Sequence, residues 1–292
     1  MASPAGKTLF SIPIKSSNGS NGNRCASPGA SVFSSVSPPT PSSPAPPKTY
    51  LLTFTSPPDN RLVTSFCEAF LLALDIIEAR YPHGVVITTS GITKFYSNGL
   101  DLDHAMSTPG YYVTLYKLFA RLAAYPMPTV AWLNGHAFAG GFMLAMHHDY
   151  RVFNPSRGYL CLNELDFGAP LKPAMLGIFE AKLSPVSYRS LILEAHRFTA
   201  KEALEQQMVD KLGGWEEVVA LVEERKLTQR SKSGVYGVLK QEMYREVIAH
   251  LEGHEERVKK DAADAEKLEK VAQGKEDRVR AWEAETKGKS KL

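Results

Sequence analysis

Long apolar runs are missing from this chain of 292 residues. A membrane-spanning helix needs about 18 consecutive apolar side chains, so no membrane span is expected. Charge of one sign is scarce too. The balance of 34 basic and 31 acidic side chains leaves a net charge of +3, too little to call for nucleic acid or a general attraction to membranes. Cysteine occurs at Cys25, Cys67 and Cys161 alone. An odd number set so far apart supports neither a disulfide framework nor a metal site, and it suits a reducing, intracellular setting. His147 and His148 form the one pair that suggests a metal. Adjacent residues of a helix point in different directions, and no second ligand pair lies at metal spacing. A helix end that favours cations accounts for the pair, and no metal is expected. Acid is absent altogether from residues 1–48, which are rich in Ser, Pro, Gly and Asn, with Lys7, Lys15, Arg24 and Lys48 as the only charges. Such a stretch cannot bury enough apolar surface to order itself. A disordered leader is expected, in preference to a targeting presequence, because it has one arginine and no sustained amphipathic period.

From Tyr50 the character changes. Tyr50 to Thr55 reads as a strand, Pro57 to Asn60 as a turn, and Phe66 to Arg80 as a helix opened by a Ser65/Glu68 capping box. Val85 to Thr89 is an apolar strand buried on both faces, so the order strand, helix, strand predicts a right-handed crossover and a partly parallel sheet. Tyr112 to Ala124 reads as a helix; His104 and Met106, just before it, read as packing residues rather than as an acyl-pocket wall. Further helices are expected from Ala174 to Lys182, from Pro185 to Ala195, and after a Thr199/Glu202 capping box. These elements make a core domain of residues 49–214. Residues 215–289 read as a helical region whose last part carries as many acidic as basic side chains, the pattern of a solvated face.

The stretch from Pro126 to Gly168 carries the chemistry. Thr129 to Leu133 is a short apolar strand; Asn134 and Gly135 break it; a loop of small residues through Ala139, Gly140 and Gly141 then opens a helix. A strand feeding a glycine loop at a helix start aims free N–H groups and the positive dipole end at one spot. Such a spot binds an anion, or an oxygen that gains charge during a reaction. Two more apolar runs, Tyr150 to Phe153 and Tyr159 to Leu162, lead into Asn163 and Glu164, a carboxylate directly after a strand. Upstream, Asn98-Gly99 is a turn signal that lets backbone approach a ligand closely. Alone it would be only a turn, and Glu164 only a surface glutamate. Together they suggest a base beside an oxyanion hole.

This segment, with Ser97 to Leu102 before it and the Thr199 and Met208 to Lys211 runs after it, resembles the crotonase (enoyl-CoA hydratase/isomerase) superfamily, and within it the Δ3,Δ2-enoyl-CoA isomerases. The resemblance covers roughly Tyr50 to Gly213. It implies an α/β fold with a ββα spiral core and a helical C-terminal region. It also implies backbone oxyanion donors at Leu100 and Gly140, with Ser97, Asn98, Gly99, Asp101 and Gly141 around the substrate, and Glu164 as the catalytic residue. Hydratases of the family carry a second glutamate at a position that falls here on Met143, which can neither hold nor deprotonate water. One glutamate suffices for a 1,3-proton shift, and apolar neighbours (Leu162, Leu165, Phe167, Met143) would raise its pKa.

The expected activity is therefore conversion of 3-enoyl-CoA to trans-2-enoyl-CoA in fatty-acid β-oxidation, with coenzyme A as part of the substrate and no other cofactor. Two alternatives remain open at this point: a hydratase-type or other crotonase reaction in a specialised pathway, and a non-catalytic acyl-CoA-binding protein. The resemblance also implies a homotrimer or hexamer. Ser290, Lys291 and Leu292 spell the peroxisomal address, so recognition by the import receptor and a peroxisomal matrix location are expected.

Overall fold

The computed structural model describes residues 8–14, 31–36 and 46–287. The chain divides into two compact units, before and after Glu252. In the first unit, the strands are β1 (Thr8–Pro13), β2 (Ser31–Val36), β3 (Thr49–Thr55), β4 (Val85–Ser90), β5 (Phe95–Ser97), β6 (Thr129–Leu133), β7 (His136–Phe138), β8 (Tyr150–Phe153), β9 (Leu160–Cys161) and β10 (Lys211–Leu212). The helices are α1 (Thr64–Arg80), α2 (Leu102–Ser107), α3 (Tyr111–Ala123), α4 (Gly140–Met146), α5 (Pro173–Lys182), α6 (Pro185–Leu193), α7 (Ala200–Glu205), α8 (Trp215–Glu224), α9 (Leu227–Arg230), α10 (Tyr236–Met243) and α11 (Arg245–Glu252). The second unit holds one long helix, α12 (His254–Lys287), rich in charge.

Among the described residues, the large sheet runs β1-β2-β3-β4-β6-β8-β10, and β5-β7-β9 form a second, smaller sheet. From β3 to β10 every pair in the large sheet is parallel, and so are both pairs in the small one. A strand of the large sheet is followed three times by a short strand of the small sheet: β4 by β5, β6 by β7, β8 by β9. Helices follow each step, so the chain winds as repeated ββα turns, which is the expected spiral.

Alternation along the central strands explains why the sheet is covered on both sides. Tyr50, Leu52, Phe54 and Val86 face the main core with α1, α3, α4 and α5. Leu51, Val85, Ile87, Val130 and Val152 face the other way and are covered by Trp215, Val218, Val219 and Val222 of α8. Strands buried on both faces read as continuous apolar runs, as these do. Because α8 closes one face of the sheet and Val247 and Leu251 of α11 enter the main core, the division falls after Glu252 and not at the expected 214.

Two further expectations are corrected. The leader is not without structure throughout: β1 and β2 pair antiparallel with one another, and β2 pairs with β3. Average composition hid two short β-prone runs that find a template in the otherwise open edge of β3, and Ile14 is buried against the core. Helix α1 begins at Thr64 with Val63 as its cap and no side-chain cap bond, so Ser65 and Glu68 form no capping box. Tertiary contact took over that role: the Thr64 N–H donates to His104 Nε2 at 3.1 Å. The Thr199/Glu202 box forms as the spacing predicts.

Candidate active site

The small sheet gathers the site. Its three parallel strands are in register, with Ser97 beside Ala137, and Phe138 beside Cys161. Their carboxyl ends therefore lie together, and each releases one candidate element: the Asn98–Asp101 loop after β5, the Ala139–Gly141 turn after β7, and Asn163-Glu164 after β9. Site residues in open α/β sheets collect at strand carboxyl ends for the same reason.

Backbone bonds set the direction of both candidate donors. The Gly99 carbonyl accepts from Leu62 N–H at 2.9 Å. In a trans peptide N–H and C=O point oppositely, so the Leu100 N–H is turned away from Leu62. The Ala139 carbonyl accepts from the N–H groups of Phe142 and Met143 at 2.9 and 3.0 Å, which turns the Gly140 N–H out of the start of α4. Ala139 N–H is tied to Cys161 O at 2.9 Å. Among the described residues neither the Leu100 nor the Gly140 N–H has a backbone acceptor. The two loops are in contact: a Cβ at Gly99, whose φ is +83°, would lie 2.9 Å from the Ala139 Cβ and 3.0 Å from the Gly140 nitrogen. Ala139 itself sits at φ 49°, ψ −126°, a conformation an L-residue adopts only under constraint.

Glu164 opens a 3-10 turn, Glu164–Phe167, and is buried, with 7% of its surface exposed. Its Oε2 has no protein partner among the described residues. Burial raises the carboxyl to about 7, and its own backbone N–H offsets this only in part. A cavity of about 330 Å³ brings the pieces together: Leu100, Ala139, Asn98 and Glu164 line it, with Leu102, Tyr112, Phe167, Leu171 and Met175 as the apolar wall. Glu164 is the one carboxylate in that lining among the described residues. Met143 is buried in the core. Leu165 is more than half exposed and does not line the cavity.

Not every expected substrate-binding residue reaches the cavity. Asn98 does; Ser97, Gly99, Asp101 and Gly141 do not line it, and of the two expected donors Leu100 does and Gly140 does not. Ser97 Oγ donates to Asn60 O at 2.7 Å, Asp101 caps α2 by accepting from His104 N–H, and Gly141 lets the start of α4 approach the Ser97 backbone. These are supports for the two loops. His104 is a packing residue, edge-on to Tyr111. His147 and His148 are buried and neutral, with burial pushing both down to about 3, so they are not cations at a helix end. His147 stacks on Phe119, and His148 Nε2 meets Thr88 Oγ1 at 2.9 Å. Among the described residues no cluster of three or more His, Cys, Asp or Glu could hold a metal.

Residues 48–284 match the enoyl-CoA hydratase/isomerase family. The chain belongs to that family. It is 34% identical over 220 residues to enoyl-CoA delta isomerase 1, peroxisomal, of Arabidopsis thaliana, covering 71% of this chain and 90% of the relative. It is 32% identical to enoyl-CoA delta isomerase 2, peroxisomal, of the same plant, over 72% of this chain and 93% of the relative. Its fold superimposes on human mitochondrial Δ3-Δ2-enoyl-CoA isomerase with a TM-score of 0.60 at 26% identity, covering 70% of this chain and 82% of that one.

In this enoyl-CoA hydratase/isomerase family member, sequence reasoning missed several residues at the site. Arg61 and Asn163 line the cavity, and Asn163 Oδ1 is buried without a partner among the described residues. Asn60 is fully buried, with Nδ2 donating to Ser90 Oγ and Tyr96 O. The one signal in the sequence was the Asp59-Asn60 pair after two prolines, which reads only as a turn. Past the carboxyl end of α4, Lys182 Nζ donates to Met146 O and His148 O, and Asp149 pairs with buried Lys240 at 2.9 Å, so that end of the helix is held.

Proposed function

We propose that this chain is a Δ3,Δ2-enoyl-CoA isomerase that moves the double bond of a 3-enoyl-CoA to the 2 position. One observation supports the reading most: a single carboxylate, Glu164, raised to about 7 and with Oε2 unpartnered among the described residues, lines one cavity with Leu100 of the first loop and Ala139, the residue before Gly140. The Glu164 carboxylate takes a proton from C2 of the acyl chain. The electrons of that C–H bond spread over C2 to C4 and onto the thioester oxygen, where the Leu100 and Gly140 N–H groups hold the charge; removing one such donor typically costs about 2.7–4 kcal/mol in barrier. The protonated Glu164 then returns the proton to C4, and the double bond stands between C2 and C3. Atoms and electrons balance with no redox partner, and coenzyme A leaves unchanged. Water addition would call for a second acid or base, and the relatives' isomerase names support the shift over it.

The deciding assay gives the purified protein 3-hexenoyl-CoA with no coupling enzyme and follows the ultraviolet absorbance of the conjugated thioester. Absorbance is expected to rise, and Glu164→Gln is expected to remove the rise while acyl-CoA affinity stays within a few-fold. Turnover retained in Glu164→Gln, or a 3-hydroxyacyl product, would sink the reading.

We also place the protein in the peroxisomal matrix, on the names of the two Arabidopsis relatives. Ser290, Lys291 and Leu292 lie outside the described residues. If they are the address, removing Leu292 leaves a fluorescent fusion in the cytosol. Assembly as a trimer or hexamer is proposed on the family likeness alone, and light scattering tests it.

A further inference from the structure

Residues 59–62, between β3 and α1, touch the first donor loop residue by residue and take no part in the proton transfer. Asn60 Nδ2 donates to Tyr96 O at 3.0 Å, and Ser97 Oγ donates to Asn60 O at 2.7 Å. Asn98 uses both its N–H groups on Asp59: the backbone N–H reaches Asp59 O at 2.9 Å, and Nδ2 reaches Asp59 Oδ2 at 2.6 Å. Leu62 N–H holds Gly99 O, and Arg61 Nη1 holds Leu100 O at 2.8 Å. The same Asp59 Oδ2 receives Arg61 Nε at 3.1 Å. Its other oxygen, Oδ1, is buried with no partner among the described residues, so the side chain's hold runs through Oδ2. The Asp59 side chain is only 13% exposed, against 39% for Arg61. A pair shielded to that degree is less weakened by solvent than an open surface pair.

We propose that Asp59 is a positioning residue of this active site: one carboxylate oxygen grips Asn98 before the donor and Arg61, which holds the carbonyl after it, and so aims the Leu100 N–H at the thioester oxygen. The proposal rests on the reading of Leu100 as an oxyanion donor. Through this oxygen Asp59 holds the Asn98 side chain directly and the Leu100 carbonyl by way of Arg61, while the peptide between them, Gly99 to Leu100, is anchored by Leu62 N–H. Loss of the Asp59 carboxylate frees the Asn98 side chain and Arg61 Nε together, while the Asp59 main-chain carbonyl keeps the Asn98 N–H. The donor loop keeps its place near the cavity but not its angle. A misplacement of about 1 Å in such a group costs on the order of 100-fold in rate, whereas ground-state binding of the rest of a large thioester depends little on it. A residue that merely steadied the fold would act on melting temperature and leave a folded enzyme's rate unchanged.

The test uses the full chain and its Asp59→Ala variant, with [1-13C]butanoyl-CoA as an unreactive probe. Hydrogen bonds to the thioester oxygen polarise the carbonyl and move its carbon resonance downfield on binding. In Asp59→Ala more than half of that movement is expected to be lost while probe affinity stays within about threefold, and kcat with 3-hexenoyl-CoA is expected to fall about 10- to 100-fold with little change in KM. Asp59→Asn, which keeps one acceptor oxygen, is expected to recover part of both. The double variant Asp59→Ala/Asn98→Ala is expected to be no worse than Asp59→Ala, because both act through one contact. Should Asp59→Ala not fold, Asn98→Ala removes the shorter bond alone and is read in the same way. A folded variant with wild-type carbonyl shift and wild-type kcat, or with a change confined to KM, overturns the proposal, as does a wild-type protein that leaves the probe carbonyl unshifted. A wild-type protein that shifts the probe, in an Asp59-dependent manner, yet turns over no 3-enoyl-CoA would strike the isomerase reading and leave the positioning role standing.

Discussion

Burial lifts the Glu164 carboxyl from its ordinary 4.5 to about 7, and this has opposite consequences for rate and for stability. The base form is needed to take the C2 proton. Turnover is therefore expected to rise about tenfold per pH unit below 7 and to level off above it, which a kcat/KM profile on 3-hexenoyl-CoA measures. For stability, the folded chain binds a proton between pH 4.5 and about 7 that the unfolded chain has released. The contribution is thus fully favourable below 4.5 and is lost as pH rises through about 7. Glu164→Gln cannot ionise, so it is expected to be more stable than the wild type at pH 8, by on the order of 3 kcal/mol, and about equal to it at pH 4. Urea denaturation at the two pH values checks this, and a gain of the same size at pH 4 would mean that ionisation is not its cause. At this scale Glu164, Leu100 and Gly140 could be named as candidates because the family resemblance carries roles onto them. Asp59 and Arg61 could not: the Asn98 contact spans 39 residues of sequence and the Leu100 contact likewise, and nothing local announces either.

Between elements, the site depends on how closely β5 and α4 approach. A Cβ on Gly141 would lie 2.2 Å from the Ser97 carbonyl oxygen and 2.8 Å from the Ser97 carbonyl carbon. Both are main-chain atoms of β5, so relief requires the strand to move as a unit. Gly141→Ala is therefore expected to push the two donor loops apart, cutting kcat/KM at least about 100-fold and destabilising the fold by about 1–3 kcal/mol. Activity within a few-fold of wild type would show that the loops tolerate separation. The longer elements were readable from apolar runs: β6 and β8 match their expected bounds, and β3, β4 and α3 differ by a residue. The small sheet was not readable as a sheet. Its strands span only two or three residues, too short to display a period, and they exist because each is laid beside its neighbour by the larger sheet beneath. The start of α1 was misplaced for a related reason, since its first donor is satisfied by His104 from another segment and not by a local cap.

Across the whole molecule, β1 and β2 close the edge of a sheet that the cavity does not touch. Every residue lining the cavity lies between Arg61 and Met175, while β2 covers β3 on the side away from β4. Removing residues 1–45 would leave the main-chain groups of Thr49–Thr55 unpaired along one side, in a strand whose residues are apolar or Thr apart from Tyr50. An open, apolar edge of that kind templates association with other chains. The packing that goes with these two strands is modest but real. Ile14 is buried, Leu9, Phe10 and Ile12 are partly so, and the Phe10 ring lies 6.4 Å from that of Tyr81. At about 1.5–3 kcal/mol for a fully buried aliphatic or Phe side chain, the total is on the order of 4 kcal/mol once partial burial is allowed for. At about 2–4 °C per kcal/mol for a chain of this size, the melting temperature is expected to drop by roughly 10 °C. The soluble fraction is expected to fall as well, while kcat/KM per folded molecule stays within about threefold, because both donors, Glu164 and the segment from Asp59 to Leu62 remain in place. Calorimetry, light scattering and active-site titration on the shortened chain measure the three effects separately. A shortened chain as stable and as soluble as the whole would mean that β1 and β2 add no energy to the sheet they extend, whereas a rate that falls with stability intact would mean that the edge of β3 reaches the site through the turn it leads into.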